Sequence, residues 1–229
     1  MKLVAVTIQK FRNFVEPQRV EIEPDVTALV GKNESGKTTI LKALHRLRPA
    51  NGDSRKFDLI TEYPRWRLSR DRRENPKIGK TRPIEAEFRV EQSDIDALTT
   101  LPAPLLPSTV VFAAKDYENS YYVWTRTPVA DMIAAAAADA SLDDEDIETL
   151  QEEETLASAM AKAKELAKTL KESEPARAKA LNSFPTAADK YLYLNRRRSS
   201  RTSRATPSVR VYRASSTSRT TAFYPARRT

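Results

Sequence analysis

Hydrophobic and polar residues alternate at the start of the chain with the two-residue period of β-strands. Lys2–Ile8 alternates weakly and is rich in Val and Ile, and residues 19–22 place Val20 and Ile22 on one face. Residues 26–30 form a short apolar run, which is the pattern of a buried central strand. The pattern therefore predicts three strands before residue 31.

From residue 38 the apolar spacing changes to that of an amphipathic helix. Apolar residues recur at intervals of three and four, and a proline at position 49 ends the segment. We therefore predict a helix over residues 38–47. Its apolar positions are Ile40, Leu41, Leu44 and Leu47.

Beyond residue 82, strand patterns give way to helical composition. Residues 83–90 alternate as a strand, and residues 109–113 and 121–125 predict a hairpin. Ser93 is predicted to cap a short helix that runs to Thr99, with two aspartates in its first turn.

Alanine, glutamate and lysine dominate residues 129–181, which is the composition of helices. Charged residues at same-face spacings near the end of this stretch predict two or three exposed helices or a helical hairpin. Residues 191–194 have the pattern of one more short strand.

One motif carries recognisable chemistry. Residues 31–38 read Gly-Lys-Asn-Glu-Ser-Gly-Lys-Thr and match the spacing G-x-x-x-x-G-K-[ST] of a phosphate-binding loop, or Walker A motif. Glycines let such a loop turn its backbone N–H groups toward a phosphate, and the helix that follows directs its positive end at the same anion. Lys37 is expected to reach the β- and γ-phosphates of ATP, and Thr38 to bind Mg²⁺. The predicted nucleotide-binding residues are Gly31, Lys32, Asn33, Glu34, Ser35, Gly36, Lys37, Thr38 and Thr39, of which Lys37 is also the predicted catalytic residue.

The context of the motif favours a real nucleotide site. The chain has only 4 glycines and two of them fall in the motif, so a chance match is improbable. An apolar run precedes the loop and an amphipathic helix follows it, as the chemistry requires. The alternative is a bare strand–turn–helix connection.

With its flanks, the loop resembles the start of the SMC/RecF/OLD group of ABC-type ATPases. The resemblance rests on residues 2–14, which end in Phe-Arg-Asn-Phe, and on residues 27–44, which run from Thr-Ala-Leu-Val through the loop to Leu-Lys-Ala-Leu. The stretches Phe57-Asp58 and Tyr63-Pro64-Arg65-Trp66 are similar to bacterial OLD-like ATPases in particular. The resemblance is specific over residues 1–48, fair to about residue 127 and faint beyond.

This resemblance implies an α/β fold, that of a P-loop NTPase with the mixed sheet of an ABC-type head. It also implies Mg-ATP held between two heads, so that a second head is an expected partner, and ATP binding coupled to DNA in repair, recombination or phage defence. Arg12 and Asn13 would then lie beside the nucleotide, in line with their place just after the first strand. The alternative for these two residues is a polar turn held by two packed phenylalanines.

Two further motifs of an ABC-type head are missing from the sequence. A Walker B strand has four apolar residues that end in Asp-Glu, one carboxylate for the metal and one for the attacking water. Residues 109–113 are apolar enough, but Asp116 comes too late and is expected in the hairpin turn, while residues 191–194 are followed by Asn195 and arginines. No glycine follows Gly79, so the sequence has no glycine-rich signature loop. The chain is therefore expected to be the first lobe of a longer protein, with an incomplete hydrolysis site.

Positive charge is concentrated at one end of the chain. The net charge is +8, but residues 196–229 carry ten Arg and no Lys, Asp or Glu, which leaves about −2 (8 minus 10) for residues 1–195. This abrupt change of composition indicates either an out-of-frame or truncated product or a genuine disordered tail that binds nucleic-acid phosphates. The predicted organisation is a head lobe at 1–128, a helical segment at 129–195 and the Arg/Ser/Thr-rich tail.

Composition limits the remaining functions. The absence of cysteine excludes disulfides and thiolate zinc sites and is consistent with the expected cytoplasmic location. No apolar run approaches the about 20 residues of a membrane helix, so no membrane partner is expected. A GTPase would need Asn-Lys-x-Asp and Asp-x-x-Gly, which do not occur, whereas a small nucleotide kinase and a non-enzymatic nucleic-acid binder stay open as alternatives. The eight basic residues of segment 65–82 indicate either a solvated insertion or a contact with DNA or a partner's nucleotide.

Overall fold

A computed structural model describes residues 1–32, 35–47, 56–98 and 104–195, together with the backbone of three short strands nearer the C-terminus. The chain divides into two units. The first unit contains Met1–Arg89 and Val111–Trp124, and the second contains Val90–Val110 and Thr125–Arg196. The predicted α/β class is confirmed.

The first unit is built on a six-stranded sheet with the order β2-β1-β3-β4-β5-β6. β1 pairs antiparallel with both β2 and β3, and β5 pairs antiparallel with β6. The strands are β1 (Lys2–Ile8), β2 (Gln18–Glu21), β3 (Ile84–Arg89), β4 (Val110–Lys115), β5 (Tyr121–Arg126) and β6 (Arg198–Ser199).

The pattern of apolar residues predicted β1, β3 and the β4–β5 hairpin correctly, because each of these strands supplies buried residues. Ala5, Val6 and Ile8 of β1 are fully buried, as are Ile84 and Ala86 of β3. Val6, Ile8, Ile84 and Ala86 belong to one hydrophobic cluster of the first unit, which also contains Phe11, Phe57, Tyr63 and Tyr117.

The helices of this unit attach to the same cluster. α1 (Lys37–Leu47) buries Ile40, Ala43 and Leu47, so the predicted helix is confirmed with its start one residue earlier. The described part of the chain resumes at residue 56. It then forms α2 (Leu59–Glu62), α3 (Arg65–Glu74) and a 3₁₀ turn at Ile78–Lys80. The basic segment is thus largely helical, which its sequence did not predict.

The strand predicted at residues 26–30 is wrong. No strand forms there, and Val26 and Val30 are 80% and 93% exposed. β1 is already paired along both edges, and the end strand β2 is itself largely exposed, so that pairing beside it would not bury the run. An apolar run becomes a buried strand only where its backbone N–H and C=O groups find such an edge.

The second unit consists mainly of helices, which are α4 (Gln92–Ala97), α5 (Val129–Ala140), α6 (Asp144–Gln151), α7 (Leu156–Thr169) and α8 (Pro175–Asp189). The composition predicted two or three exposed helices or a helical hairpin, and the prediction of exposed helices is wrong. α5 to α8 enclose a core that is rich in alanine and is filled by Leu150, Leu181 and Phe184, all fully buried. Alanine is compatible with both helix surface and helix core, so its abundance predicted the helices and not their burial.

Two smaller predictions in the second unit are wrong, and a third falls outside the described residues. α4 begins at Gln92 with Glu91 as its cap, whose backbone N–H donates to Asp94 Oδ2 at 3.0 Å, so Ser93 lies inside the helix. Thr99 lies outside the described residues. Residues 191–194 form turns instead of a strand, with Tyr191 and Leu194 buried.

The predicted disordered tail falls, apart from three short backbone segments, outside the described residues. Those segments are β6 and the antiparallel pair β7 (Val209–Val211) and β8 (Phe223–Pro225). Among the helices of the described part of the chain, none combines the length and apolarity needed to cross a bilayer.

Candidate nucleotide-binding site

The phosphate-loop motif forms a tight turn that leads directly into α1. Gly36 is buried and has a φ of +99°, a conformation that L-residues rarely adopt. A Cβ atom at Gly36 would lie only 2.6 Å from Phe14 Cζ and 3.0 Å from Asn13 Nδ2. Glycine is therefore required at this position both for its backbone angle and for its lack of a side chain.

The Lys37 side chain folds back over the loop. Its ammonium donates to the Gly31 carbonyl at 2.6 Å, to the Lys32 carbonyl at 2.7 Å and to Ser35 Oγ at 3.4 Å. The positive charge is thus held by neutral oxygens at the centre of the motif. Among the described residues the structure brings together Gly31, Lys32, Ser35, Gly36 and Lys37, while Asn33 and Glu34 lie outside them.

The first turn of α1 supplies further anion-binding groups. The first hydrogen bond of the helix runs from the Ile40 N–H to the Gly36 carbonyl at 3.0 Å. The N–H groups of Lys37, Thr38 and Thr39 therefore precede the helical ladder, where the helix dipole also favours an anion. The Thr38 side chain is exposed at this helix start, in reach of solvent.

The Phe-Arg-Asn-Phe sequence after β1 packs against the loop. Phe11 and Phe14 exchange two backbone hydrogen bonds of 2.9 Å, and Phe11 is fully buried, so the turn is indeed held by its phenylalanines. The same turn places Phe14 and Asn13 against Gly36. The two interpretations of this turn are therefore compatible, because a packed turn can also lie at a binding site.

Arg12 takes a different direction from Asn13. It has a left-handed backbone with a φ of 53°, and its guanidinium forms an ion pair with Glu62 at 3.2 Å. The Arg12 side chain remains 37% exposed. Arg12 is thus the neighbour in sequence of Asn13, which contacts the loop at Gly36, but the charge of Arg12 pairs with Glu62 of α2.

A second polar cluster joins α3 to the end of β1. Asp71 accepts a hydrogen bond from the Tyr63 hydroxyl at 2.6 Å and lies 3.5 Å from Lys10 Nζ and 3.3 Å from Arg67 Nε. The hydrogen bond from the Tyr63 hydroxyl lowers the pKa of the Asp71 carboxyl most, and the positive charges of Lys10 and Arg67 lower it further. The Tyr117 hydroxyl, whose pKa is raised by burial, donates to the Lys10 carbonyl at 2.5 Å. Sequence reasoning missed this cluster and Glu62, because nothing in the local pattern links residues 50 or more positions apart.

The Asp116 side chain stabilises the turn of the β4–β5 hairpin. It lies in the β4–β5 turn, as predicted, and is fully buried. Its Oδ1 accepts from the Ser120 N–H at 2.8 Å and its Oδ2 from the Tyr122 hydroxyl at 2.6 Å, a contact that raises the pKa of Tyr122 to about 12. Both oxygens are thus engaged in closing the hairpin, which does not fit a metal-binding Walker B carboxylate.

The basic segment shows an exposed charged face on α3. Arg65, Arg72 and Arg73 are exposed, and Trp66 is 73% exposed. Arg70 pairs with Glu74 at 2.7 Å along the same helix. The helix is anchored by Asp71 beneath it and directs most of its arginines outward.

Comparison with known proteins places the chain in a family. The family model described as an AAA ATPase domain matches residues 1–222. Among curated proteins none matches the chain. One solved structure, described as "Structural biochemistry of ATP-driven dimerization and DNA stimulated activation of SMC ATPases", is similar at 14% identity over 56% of this chain and 70% of that chain, with a TM-score of 0.33.

The family model agrees with the site geometry and confirms the predicted P-loop ATPase, whereas the OLD-like subgroup stays a prediction. It spans nearly the whole chain, including the phosphate loop, the Phe11–Phe14 turn and both units. The chain therefore belongs to the AAA ATPase domain family.

Proposed function

We propose that residues 31–39 bind the phosphates of Mg-ATP and that the chain is the ATP-binding part of an ATPase. The observation that carries this proposal is the Lys37 ammonium, held 2.6 Å and 2.7 Å from the carbonyl oxygens of Gly31 and Lys32. A phosphate that enters the loop offers charged oxygens, which bind an ammonium more strongly than neutral carbonyls do. Binding therefore requires only an exchange of acceptors at a charge that is already in place.

Each residue of the loop has a distinct proposed task. Lys37 neutralises the β- and γ-phosphates, and the N–H groups of Lys37, Thr38 and Thr39 donate to phosphate oxygens at the helix start. Gly36 keeps the space in which Asn13 and Phe14 close the loop from one side. These roles would together hold the triphosphate without any rearrangement of α1.

Thr38 is the proposed protein ligand of Mg²⁺. Its exposed hydroxyl lies at the start of α1, next to the proposed phosphate position. Magnesium usually keeps several waters and takes few protein oxygens besides the substrate phosphates. In the described part of the chain no three His, Cys, Asp or Glu residues gather around one point, which suits an ion that arrives with the nucleotide better than one in a protein cage.

We expect hydrolysis by this chain alone to be slow. Positioning the attacking water needs a carboxylate near the γ-phosphate. The nearest sequence candidate, Asp116, has both oxygens engaged in its hairpin. Measuring ATP turnover by the purified 229-residue chain tests this, and turnover as fast as in complete ATPases would contradict it.

Isothermal titration calorimetry with Mg-ATP tests the binding proposal. Lys37→Ala should remove the central charge and weaken binding at least about 100-fold, since hydrogen bonds to charged groups contribute about 1.5–3 kcal/mol each. Lys42→Ala is the matched control, because Lys42 is an exposed lysine of the same helix. Equal affinity of wild type and Lys37→Ala would refute the proposal. Competition between ATP and GTP then tests the preference for adenine, and a preference for GTP would contradict the sequence argument against a GTPase.

DNA and a second head are the proposed macromolecular partners, in a cytoplasmic DNA-repair, recombination or phage-defence system. Support comes from the exposed arginines of α3 and from the ten arginines of residues 196–229. Cationic side chains release counterions from nucleic acids, so binding should fall steeply with salt. Removing residues 196–229 and titrating DNA at several salt concentrations separates the two sources. Lost binding favours a tail-driven binder, and retained binding favours the body of the protein.

A further inference from the structure

Glu62, the last residue of α2, is a buried carboxylate without a role in the loop itself. Its side chain is 3% exposed and accepts from Arg12 Nη2 at 3.2 Å, from Arg46 Nη1 and from the Asp58 N–H at 3.2 Å. A carboxylate so far removed from water is stable only when opposite charges and hydrogen bonds surround it. Glu62 thus joins α2 to two segments that are distant in sequence, one at Arg12 and one at Arg46.

The first of these segments is the turn that contacts the phosphate loop. Besides the ion pair, the Arg12 N–H donates to the Glu62 carbonyl at 2.6 Å, so both backbone and side chain of Arg12 are fixed to Glu62. The left-handed backbone of Arg12 is unfavourable for a residue with a side chain and persists only where its surroundings hold it. One residue further, Asn13 and Phe14 lie against Gly36. The position of this contact therefore depends on how Arg12 is held.

The second segment is the helix that starts in the loop. Arg46 lies in the last turn of α1, nine residues after Lys37, which corresponds to about 13 Å along the helix axis. Its guanidinium meets the second oxygen of Glu62. α1 is thus fixed at its far end by Glu62, while its near end is covered by the turn that Glu62 also holds.

We propose that Glu62 is a positioning residue for the nucleotide site, which acts through Arg12 and sets how Asn13 and Phe14 close on Gly36. The inference rests on the proposed binding of Mg-ATP at residues 31–39. Glu62 is not a catalytic residue, since its contacts are with Arg12, Arg46 and Asp58. Glu62 affects ATP affinity through the turn that contains Arg12, and its ion pair with Arg46 of α1 holds the Glu62 side chain in place.

A double-mutant cycle between Glu62 and Arg12 tests the proposal. Glu62→Gln keeps the size of the side chain and removes its charge, and should weaken Mg-ATP binding about 5- to 10-fold in calorimetry. In an Arg12→Ala background the same change should weaken binding twofold or less, because the path to the loop is already cut. Glu74→Gln is the matched control, since Glu74 also pairs with an arginine but is 58% exposed, and its affinity should equal that of wild type.

The titration also separates positioning from a general structural role. A change that only destabilises the fold weakens apparent binding solely through the unfolded fraction, which urea unfolding of each variant measures, whereas a positioning change weakens binding in a variant that is fully folded. Unchanged affinity of Glu62→Gln, or the same fold-change with and without Arg12, would overturn the inference. If Glu62→Gln does not fold, Arg12→Met replaces it, because it removes the charge that pairs with Glu62 and keeps an unbranched side chain, and unchanged affinity of Arg12→Met would overturn the inference equally. Absence of Mg-ATP binding by wild type would instead refute the proposed function and this inference with it.

Discussion

Replacing Gly36 by alanine should destabilise the first unit. At a φ of +99° the new side chain is strained, at a cost of about 1–2 kcal/mol for left-handed backbone. Its Cβ would also lie 2.6 Å from Phe14 Cζ and 2.9 Å from Phe14 Cε2, and overpacking of this kind costs about 1–3 kcal/mol. We therefore expect the free energy of unfolding to fall by about 3 kcal/mol.

Urea unfolding followed by tryptophan fluorescence is a suitable assay. Both tryptophans lie in the first unit, and Trp124 is buried and stacked on Phe112 with ring centroids 5.2 Å apart. Gly79→Ala is the matched control. Its Cβ would meet Glu118 Cγ at 3.1 Å and Oε1 at 3.2 Å, atoms of a flexible side chain that can move, so the cost should stay below about 1 kcal/mol.

A second substitution divides the cost of Gly36→Ala into its two parts. Phe14→Ala removes the ring that the new methyl group meets. The loss of unfolding free energy in the double variant should therefore be smaller than the sum of the losses in the two single variants, by about 1 kcal/mol or more. The backbone strain should remain. If Gly36→Ala is no worse than Gly79→Ala, or if the two changes are simply additive, the close packing of Phe14 on Gly36 is refuted.

Three further predictions concern the polar clusters and the second core. Tyr63→Phe removes the hydroxyl that lowers the pKa of Asp71, so it should cost about 1–2 kcal/mol at about pH 7. A carboxyl pKa that is lowered by folding stabilises the protein above the unfolded pKa, and this contribution is lost as pH falls through the folded pKa. The cost of Tyr63→Phe should therefore shrink as pH falls below the unfolded carboxyl pKa of about 3.9, and a pH-independent cost in urea titrations would contradict it. Asp116→Ala should destabilise by about 1–3 kcal/mol in urea unfolding and leave the Mg-ATP affinity within about twofold, whereas lost affinity would indicate a metal ligand. Phe184→Ala should cost the helical unit about 3–5 kcal/mol, measured by far-UV circular dichroism, and a cost below about 1 kcal/mol would mean that its burial is overestimated.

Much of the first unit follows from the sequence because its elements repeat with a period that matches their burial. β3 and α1 each bury one face more than the other, which is what periodicity detects, whereas β1 and β4 follow from their apolar composition because both of their faces are largely covered. The run at residues 26–30 fails for the complementary reason. Its composition suits a strand, but strand formation depends on a partner edge that the local sequence does not reveal.

The helix α3 of the basic segment could not be predicted from the pattern of apolar residues. α3 is dominated by charged residues, yet Asp71 on its inner face and Tyr63 just before it fix the helix through a hydrogen bond of 2.6 Å. A carboxylate as anchor is invisible to hydrophobic periodicity. The same applies to Glu62, since its two arginine partners lie 50 and 16 positions away.

For the site itself, the motif predicts the loop and its helix but not the surrounding supports. The spacing of Gly31, Gly36 and Lys37 encodes a local structure, because the Lys37 ammonium donates to carbonyl groups 6 and 5 positions away. The seating of Phe14 on Gly36 joins residues 22 positions apart and becomes visible only in three dimensions. Local chemistry is readable from the chain, whereas the orientation of neighbouring segments is not.

The alanine-rich core of the second unit has a consequence for how that unit gains its stability. Ala159, Ala163 and Ala167 of α7 and Ala178 and Ala188 of α8 are buried. An alanine side chain has no rotamers to lose, so burying it costs no side-chain conformational entropy, unlike a leucine or methionine at the same position. The helices can also approach each other closely, but each buried methyl group contributes little apolar area. Folding of this unit is thus favoured by low ordering costs and depends on its large buried residues, such as Ile133, Leu150, Leu181 and Phe184, for most of its apolar burial.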